Sequence, residues 1–173
     1  VKAISDKYSK EQQVKLMEKS QQGVTESNGT YMLNGDAHLL FNRLGNHNKI
    51  SFTVKTSSNT DKFGFSFVRG SDSDKYYSII VNPENDSQRK LNFEEEGKSG
   101  QGFIAGIDGY VFNRPTDNTY HVTVYTDNSI CVVYVNDICS YTNRIYGIQK
   151  NCWSINSYGG NISVSDVKVS QYE

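Results

Sequence analysis

The sequence predicts an all-β domain: a two-sheet antiparallel β-sandwich of the concanavalin- or lectin-like jelly-roll type, with a short N-terminal helix. Three observations carry this expectation. The 173 residues include 12 Tyr and 8 Phe, and these join Val, Ile and Thr as residues that suit a pleated, half-buried surface. From residue 30 onward, apolar residues recur at period two in short runs. Asn, Asp, Ser and Gly turns separate the runs at regular spacing, giving about twelve short strands, which is a sandwich or barrel pattern and not one of βαβ units. No repeat of fixed period is present, which argues against a propeller or solenoid.

The elements follow in order. Ser9-Lys10-Glu11-Gln12 reads as a capping box, Val14, Leu16 and Met17 as a narrow apolar stripe, and Gly23 as its end. A helix is therefore expected over residues 9–22, serving either as a linker to something upstream or as a plug at one end of the sandwich. Residues 1–29 are read as this linker and residues 30–173 as the sandwich. Leu39-Leu40-Phe41 is a short apolar run. Ile50, Phe52 and Val54 alternate with Ser51, Thr53 and Lys55, and Phe63, Phe65 and Phe67 alternate with Gly64, Ser66 and Val68. Residues 57–61 form the loop between them.

A strand over 76–82 ends at Pro83, and residues 90–94 pair back with it as a hairpin. The glycine-rich segment 97–109 reads as a long loop with a short strand inside. Strands resume at 110–113 and 120–126, followed by the turn Asp127-Asn128-Ser129 and a strand at 130–135. The Asn136-Asp137 turn leads into 138–144. Residues 153–158 and 162–169 are expected as a strand pair around the turn Gly159-Gly160-Asn161. The clean alternation predicts antiparallel sheets with one wet face.

Net charge is −1 and the isoelectric point about 6.3, with no run of Lys or Arg. Nothing here supports a nucleic-acid or anionic-membrane partner. Mean hydropathy is −0.61, and no apolar stretch approaches the roughly 18 residues that span a bilayer. No signal peptide is visible. The chain starts at Val1, so a mature or excised form with a domain upstream is expected.

The three cysteines, Cys131, Cys139 and Cys152, lack the C-x-x-C spacing of a zinc or redox site. Cys131 lies in an apolar strand pattern and reads as a small buried hydrophobe. A Cys131–Cys139 bridge across a hairpin stays open. Glu94-Glu95-Glu96, the one acidic run, sits at a strand end and reads as a solvated face, not as the paired carboxylates of a glycosidase. His38, His47 and His121 lack metal-ligand spacing, and His121 is expected to face solvent or a groove. No metal site and no cofactor is expected. Calcium is left open at Asp72-Ser73-Asp74 and Asp117-Asn118, which ordinary turn chemistry explains as well. No nucleophile elbow, P-loop or dinucleotide fingerprint occurs.

The C-terminal third is the most distinctive. Residues 127–137, Asp-Asn-Ser-Ile-Cys-Val-Val-Tyr-Val-Asn-Asp, resemble a segment of the C-terminal domain of glycoside hydrolase family 32, the invertases, inulinases and levanases, which reads roughly D-x-S-x-E-x-F-x-N-D/G. Thr142-Asn143-Arg144-Ile145-Tyr146 is similar to that family's T-x-R-I-Y, and residues 159–169 are similar to its final strand pair. Residues 35–40 and 76–79 fit more loosely. The resemblance covers 30–173 and is distinctive over 127–169. Cys131 stands where the family has its usual Glu, so any binding or interface role of that Glu is lost here.

The resemblance implies a β-sandwich appended to a five-bladed propeller that holds the active site. The propeller motifs W-M-N-D-P-N-G, R-D-P and E-C do not occur in this chain. It therefore implies a non-catalytic module that packs on and stabilises a catalytic domain of the same polypeptide or operon, outside the cytoplasm or at the surface of a bacterium. Related sandwiches bind fructans. The alternatives are a carbohydrate-binding module for fructan or a related glycan, and, last, a free-standing glycan-active enzyme. The first predicts an exposed apolar patch, the second a groove with an aromatic and convergent polar groups, the third a carboxylate pair. Candidate sugar contacts are Asp36, Arg69, Tyr77, Arg114, Arg144, Tyr146 and Trp153, since aromatic faces stack on sugar rings and planar polar groups reach hydroxyls. Plain sheet packing for the aromatics, and a bond from Arg144 to a neighbouring carboxylate, are the competing readings.

Overall fold

A computed structural model describes residues 10–12, 23–68, 76–83, 91–95, 109–110, 113–137 and 139–172. These residues form twelve strands: β1 (Lys10–Gln12), β2 (Val24–Ser27), β3 (Thr30–Phe41), β4 (His47–Thr56), β5 (Phe63–Val68), β6 (Tyr76–Val81), β7 (Leu91–Glu95), β8 (Gly109–Tyr110), β9 (Thr119–Asp127), β10 (Ile130–Val135), β11 (Cys139–Arg144) and β12 (Trp153–Tyr172). Every pairing among them is antiparallel.

The hydrogen-bonded order is β11-β10-β9-β4-β12-β5-β6-β7-β8, and β3 runs along the other edge of β12. The 20-residue β12 belongs to both layers of the sandwich. Its first half lies between β3 and β5, and its second half lies beside β4. The change of layer is made by backbone irregularities. Between Tyr158 and Asn161 the register slips, three steps on β12 matching two on β3. Gly159 sits there at φ 88°, a region that glycine enters without steric cost. A second slip falls between Ser165 and Lys168, with Asp166 at φ 52°. Each inserted residue exchanges the two faces of the strand. Ile155 and Ser157 point inward before the first slip, Ile162 and Val164 after it, and Val169 after the second.

The core lies between the layers. Phe52 of β4 meets Phe65 of β5 edge-on at 5.8 Å and Trp153 of β12 at 6.3 Å. Phe63 meets Tyr120 of β9 at 5.1 Å, and Trp153 stacks on Phe41 of β3 at 4.4 Å. Burial pushes the Tyr120 hydroxyl up to about 12, against a lowering influence from Arg114.

The alternation of β4 and β5, the 76–82 strand with its returning hairpin, and the 127–129 turn all stand as the sequence predicts. Two expectations are corrected. Gly159-Gly160-Asn161 is not a turn between two paired strands but the bulge inside β12. Lys10–Gln12 is a strand and not helix: it pairs with Val169–Gln171, whose ladder groups secure these three residues more firmly than a lone capping motif. Residue 9 and residues 13–22 of the expected helix lie outside the described residues, as does most of 97–109.

The register also decides the Cys131–Cys139 bridge that the sequence leaves open. Cys131 is paired with Asn143, and Cys139 with Val135. The two cysteines are thus offset by four residues, about 13 Å along the strands, beyond the ~7 Å that a disulfide bridges. Cys131 is a free thiol, fully buried, and burial pushes its pKa well up. Maleimide is therefore expected to leave Cys131 unmodified at pH 8 in the native protein and to label it in urea, with peptide mass spectrometry locating the adduct. Rapid native labelling would contradict this packing.

Candidate functional site

The outward face of the β3-β12-β5-β6 layer departs from a simple wet surface. Alternation places His38, Ser154, Asn156, Ser66 and Ser78 there, because their strand neighbours Leu39, Ile155, Phe65, Phe67 and Ile79 are in the core. In register, Asn156 is opposite His38, Ser154 is opposite Ser66, and Ser66 is opposite Ser78. Yet Asn156 and Ser78 are each only 2% exposed, and Ser154 and Ser66 are buried.

Asn156 is the hub. Its Oδ1 lies 2.8 Å from His38 Nδ1 and accepts from Ser154 Oγ at 2.9 Å. Its Nδ2 donates to Ser66 Oγ at 2.7 Å and reaches the Tyr158 hydroxyl at 3.4 Å. Ser66 Oγ and Ser78 Oγ are 2.6 Å apart. Buried polar groups cost free energy unless they are bonded, and this set is bonded throughout. Gly64 makes room for it, since a Cβ there would stand 3.2 Å from the Tyr158 ring and hydroxyl and 2.6 Å from the Ile79 carbonyl oxygen. The network holds four strands in register and carries an outer rim of exposed His38 and Asp36, the latter opposite Tyr158.

Of the candidates from the sequence, Asp36 alone joins this rim. Tyr77 and Trp153 are core residues at 3% and 1% exposure, so their rings are engaged in packing and offer no open face to a ligand. Arg69 lies outside the described residues. Arg114 is half-buried just before β9, near Tyr120. Arg144 and Tyr146 stand at the end of the other layer. There Arg144 Nη1 donates to Ser129 Oγ at 3.0 Å, a hydroxyl and not a carboxylate. Tyr146 is 59% exposed, and Ile130, opposite Arg144, is 39% exposed. The candidates therefore fall into separate regions and do not form one constellation.

His38, Ser66, Ser78, Ser154, Asn156 and Tyr158 were missed by the sequence reading. Each is a polar residue in a strand, and nothing local separates a buried outward-facing asparagine from a wet one. Of the calcium positions, Asp117 accepts from the Thr119 N–H at 3.0 Å, as a turn residue does, and 72–74 lie outside the described residues. Among the described residues no group of three or more metal-ligating side chains occurs. His121 is exposed and contacts Thr53 Oγ1 at 3.1 Å.

This fold has solved relatives. The carbohydrate binding module CBM66 from Bacillus subtilis superposes with a TM-score of 0.63 at 11% identity, covering 91% of this chain and 95% of that one. The Aspergillus kawachii β-fructofuranosidase gives 0.64 at 16% identity over 98% of this chain, which spans 28% of that protein. The Caenorhabditis elegans galectin LEC-6 gives 0.55 at 12%, covering 85% of this chain and 99% of that one. At these identities the likeness is one of fold, a lectin-like sandwich. No curated protein sequence matches the chain. The family description "GH32, BT1760-like, C-terminal domain" matches residues 1–169. Agreeing with the segment at 127–169, that match decides the family: the chain belongs to the GH32, BT1760-like, C-terminal domains, non-catalytic accessory sandwiches of glycoside hydrolase family 32.

Proposed function

We propose that the chain is the accessory sandwich of a fructan-active glycoside hydrolase and that it touches the glycan through the rim of His38 and Asp36. The supporting observation is the buried Asn156 network on an outward-facing layer. A face that met only water would need no such set, because solvated side chains suffice there. A network that holds the His38 ring in place lowers the ordering cost of gripping a flexible polyol. Binding needs no cofactor or calcium in this reading. Affinity is modest, since each sugar contact replaces a water contact. The working location is outside the cytoplasm, where the polymer is.

Isothermal titration against levan, inulin, sucrose and fructose, with and without calcium, tests this. Saturable heat with a fructan, unchanged by chelator and lost in His38→Ala, is the expected result. No heat with any of the four would remove the glycan role and leave the module a purely structural one.

A second role rests on a separate observation. Exposed Tyr146 and Ile130 flank Arg144 at one end of the sandwich. Aromatic and Arg residues of this kind are enriched in interface hot spots. In this reading the catalytic domain of the same polypeptide packs there and is stabilised by it.

A further inference from the structure

The proton arrangement around Asn156 limits what the rim can bind, if the rim contacts glycan as proposed above. The amide nitrogen donates to Ser66 Oγ, and the carbonyl oxygen accepts from Ser154 Oγ. A carbonyl oxygen carries no hydrogen, so the 2.8 Å contact with His38 requires the proton on His38 Nδ1. In the neutral tautomer with its proton on Nδ1, the other ring nitrogen, Nε2, is the acceptor, and His38 is exposed. Two residues along β3, on the same face, stands the carboxylate of exposed Asp36. Two acceptors thus lie one pleat apart, about 7 Å along the strand.

We propose that His38 and Asp36 form an acceptor pair that selects neutral polyols and excludes acidic sugars. Hydroxyls of a neutral ring supply hydrogens to both. An acidic sugar keeps some ring hydroxyls, but its carboxylate or sulfate offers no hydrogen to the pair and its charge opposes that of Asp36.

The test is 15N-edited NMR of the histidine side chains, with titration of the chain by an inulin-type oligosaccharide and by an oligogalacturonate of equal length. The expected result has His38 protonated at Nδ1 in the unliganded protein and its Nε2 resonance moving on addition of the neutral sugar alone. Asp36→Asn then weakens the neutral sugar about tenfold, as loss of a charged hydrogen bond does, and narrows the gap to the acidic one. A ring protonated at Nε2 overturns the proposal whatever binds. Neutral-sugar binding with His38 and Asp36 resonances unmoved, or equal binding of the acid, overturns it while leaving the glycan role intact. Absence of binding by either sugar overturns both.

Discussion

Trp153→Ala is expected to lower the free energy of unfolding by about 3–5 kcal/mol, the usual cost of deleting a buried aromatic ring. Trp153 is the largest fully buried side chain, 1% exposed. It stands where three strands meet in register, opposite Phe41 of β3 and Phe67 of β5. Its ring stacks on Phe41 at 4.4 Å and lies 6.3 Å from Phe52 across the sandwich, so its loss opens a void that no neighbour can fill without moving a sheet. A domain of this size is stable by roughly 5–15 kcal/mol, so the change removes a large part of the total. In urea the midpoint falls with the slope unchanged. The same variant separates packing from recognition. Trp153 is on the inner face of β12, while Asn156 and the rim are on the outer face. Glycan affinity per folded molecule therefore stays at its original value. A shift below about 1 kcal/mol together with lost binding would mean that the ring faces a ligand after all.

The contrast between Trp153 and His38 shows what a sequence discloses. Period-two alternation assigns a side chain to a face, and for β4 and β5 it names residues of the core, Ile50, Phe52, Val54, Phe63, Phe65 and Phe67. It does not say which aromatic residue is buried. The only Trp among many Tyr invited a sugar-stacking role, and packing took it instead. The layer change inside β12 was hidden for a related reason. Gly-Gly-Asn has turn chemistry, and the difference between a turn and a bulge lies in whether a neighbouring strand continues past it, as β3 does. β2 went unread because Val24-Thr25-Glu26-Ser27 is mostly exposed and has little apolar pattern. Only Asn28-Gly29, both at positive φ in a two-residue connection to β3, marked it. The polar network is a product of register. Residues 38, 66, 78, 154 and 156 come together only when four strands are aligned, and no local spacing encodes that.

Asn156→Ala tests the network as a unit. The substitution removes both partners that Asn156 gives Ser66 and Ser154, along with the acceptor that fixes His38. Ser66 keeps Ser78 at 2.6 Å, whereas Ser154 is left buried without that bond. The expected loss is about 1–3 kcal/mol, the penalty for stranding a buried hydroxyl, smaller than that of Trp153. Because His38 becomes free to rotate, fructan binding falls more than stability does. Asn156→Asp, which keeps the acceptor oxygen facing His38 and Ser154 but replaces the amide donor with a second oxygen, restores part of the His38 geometry and so part of the binding. A double-mutant cycle between Asn156→Ala and Ser66→Ala measures the connection directly, with a coupling of about 0.5–3 kcal/mol expected for residues in one network. Additive effects, with binding unchanged in either variant, would make these five residues independent surface groups. The rim would then lose the rigidity on which its selectivity depends.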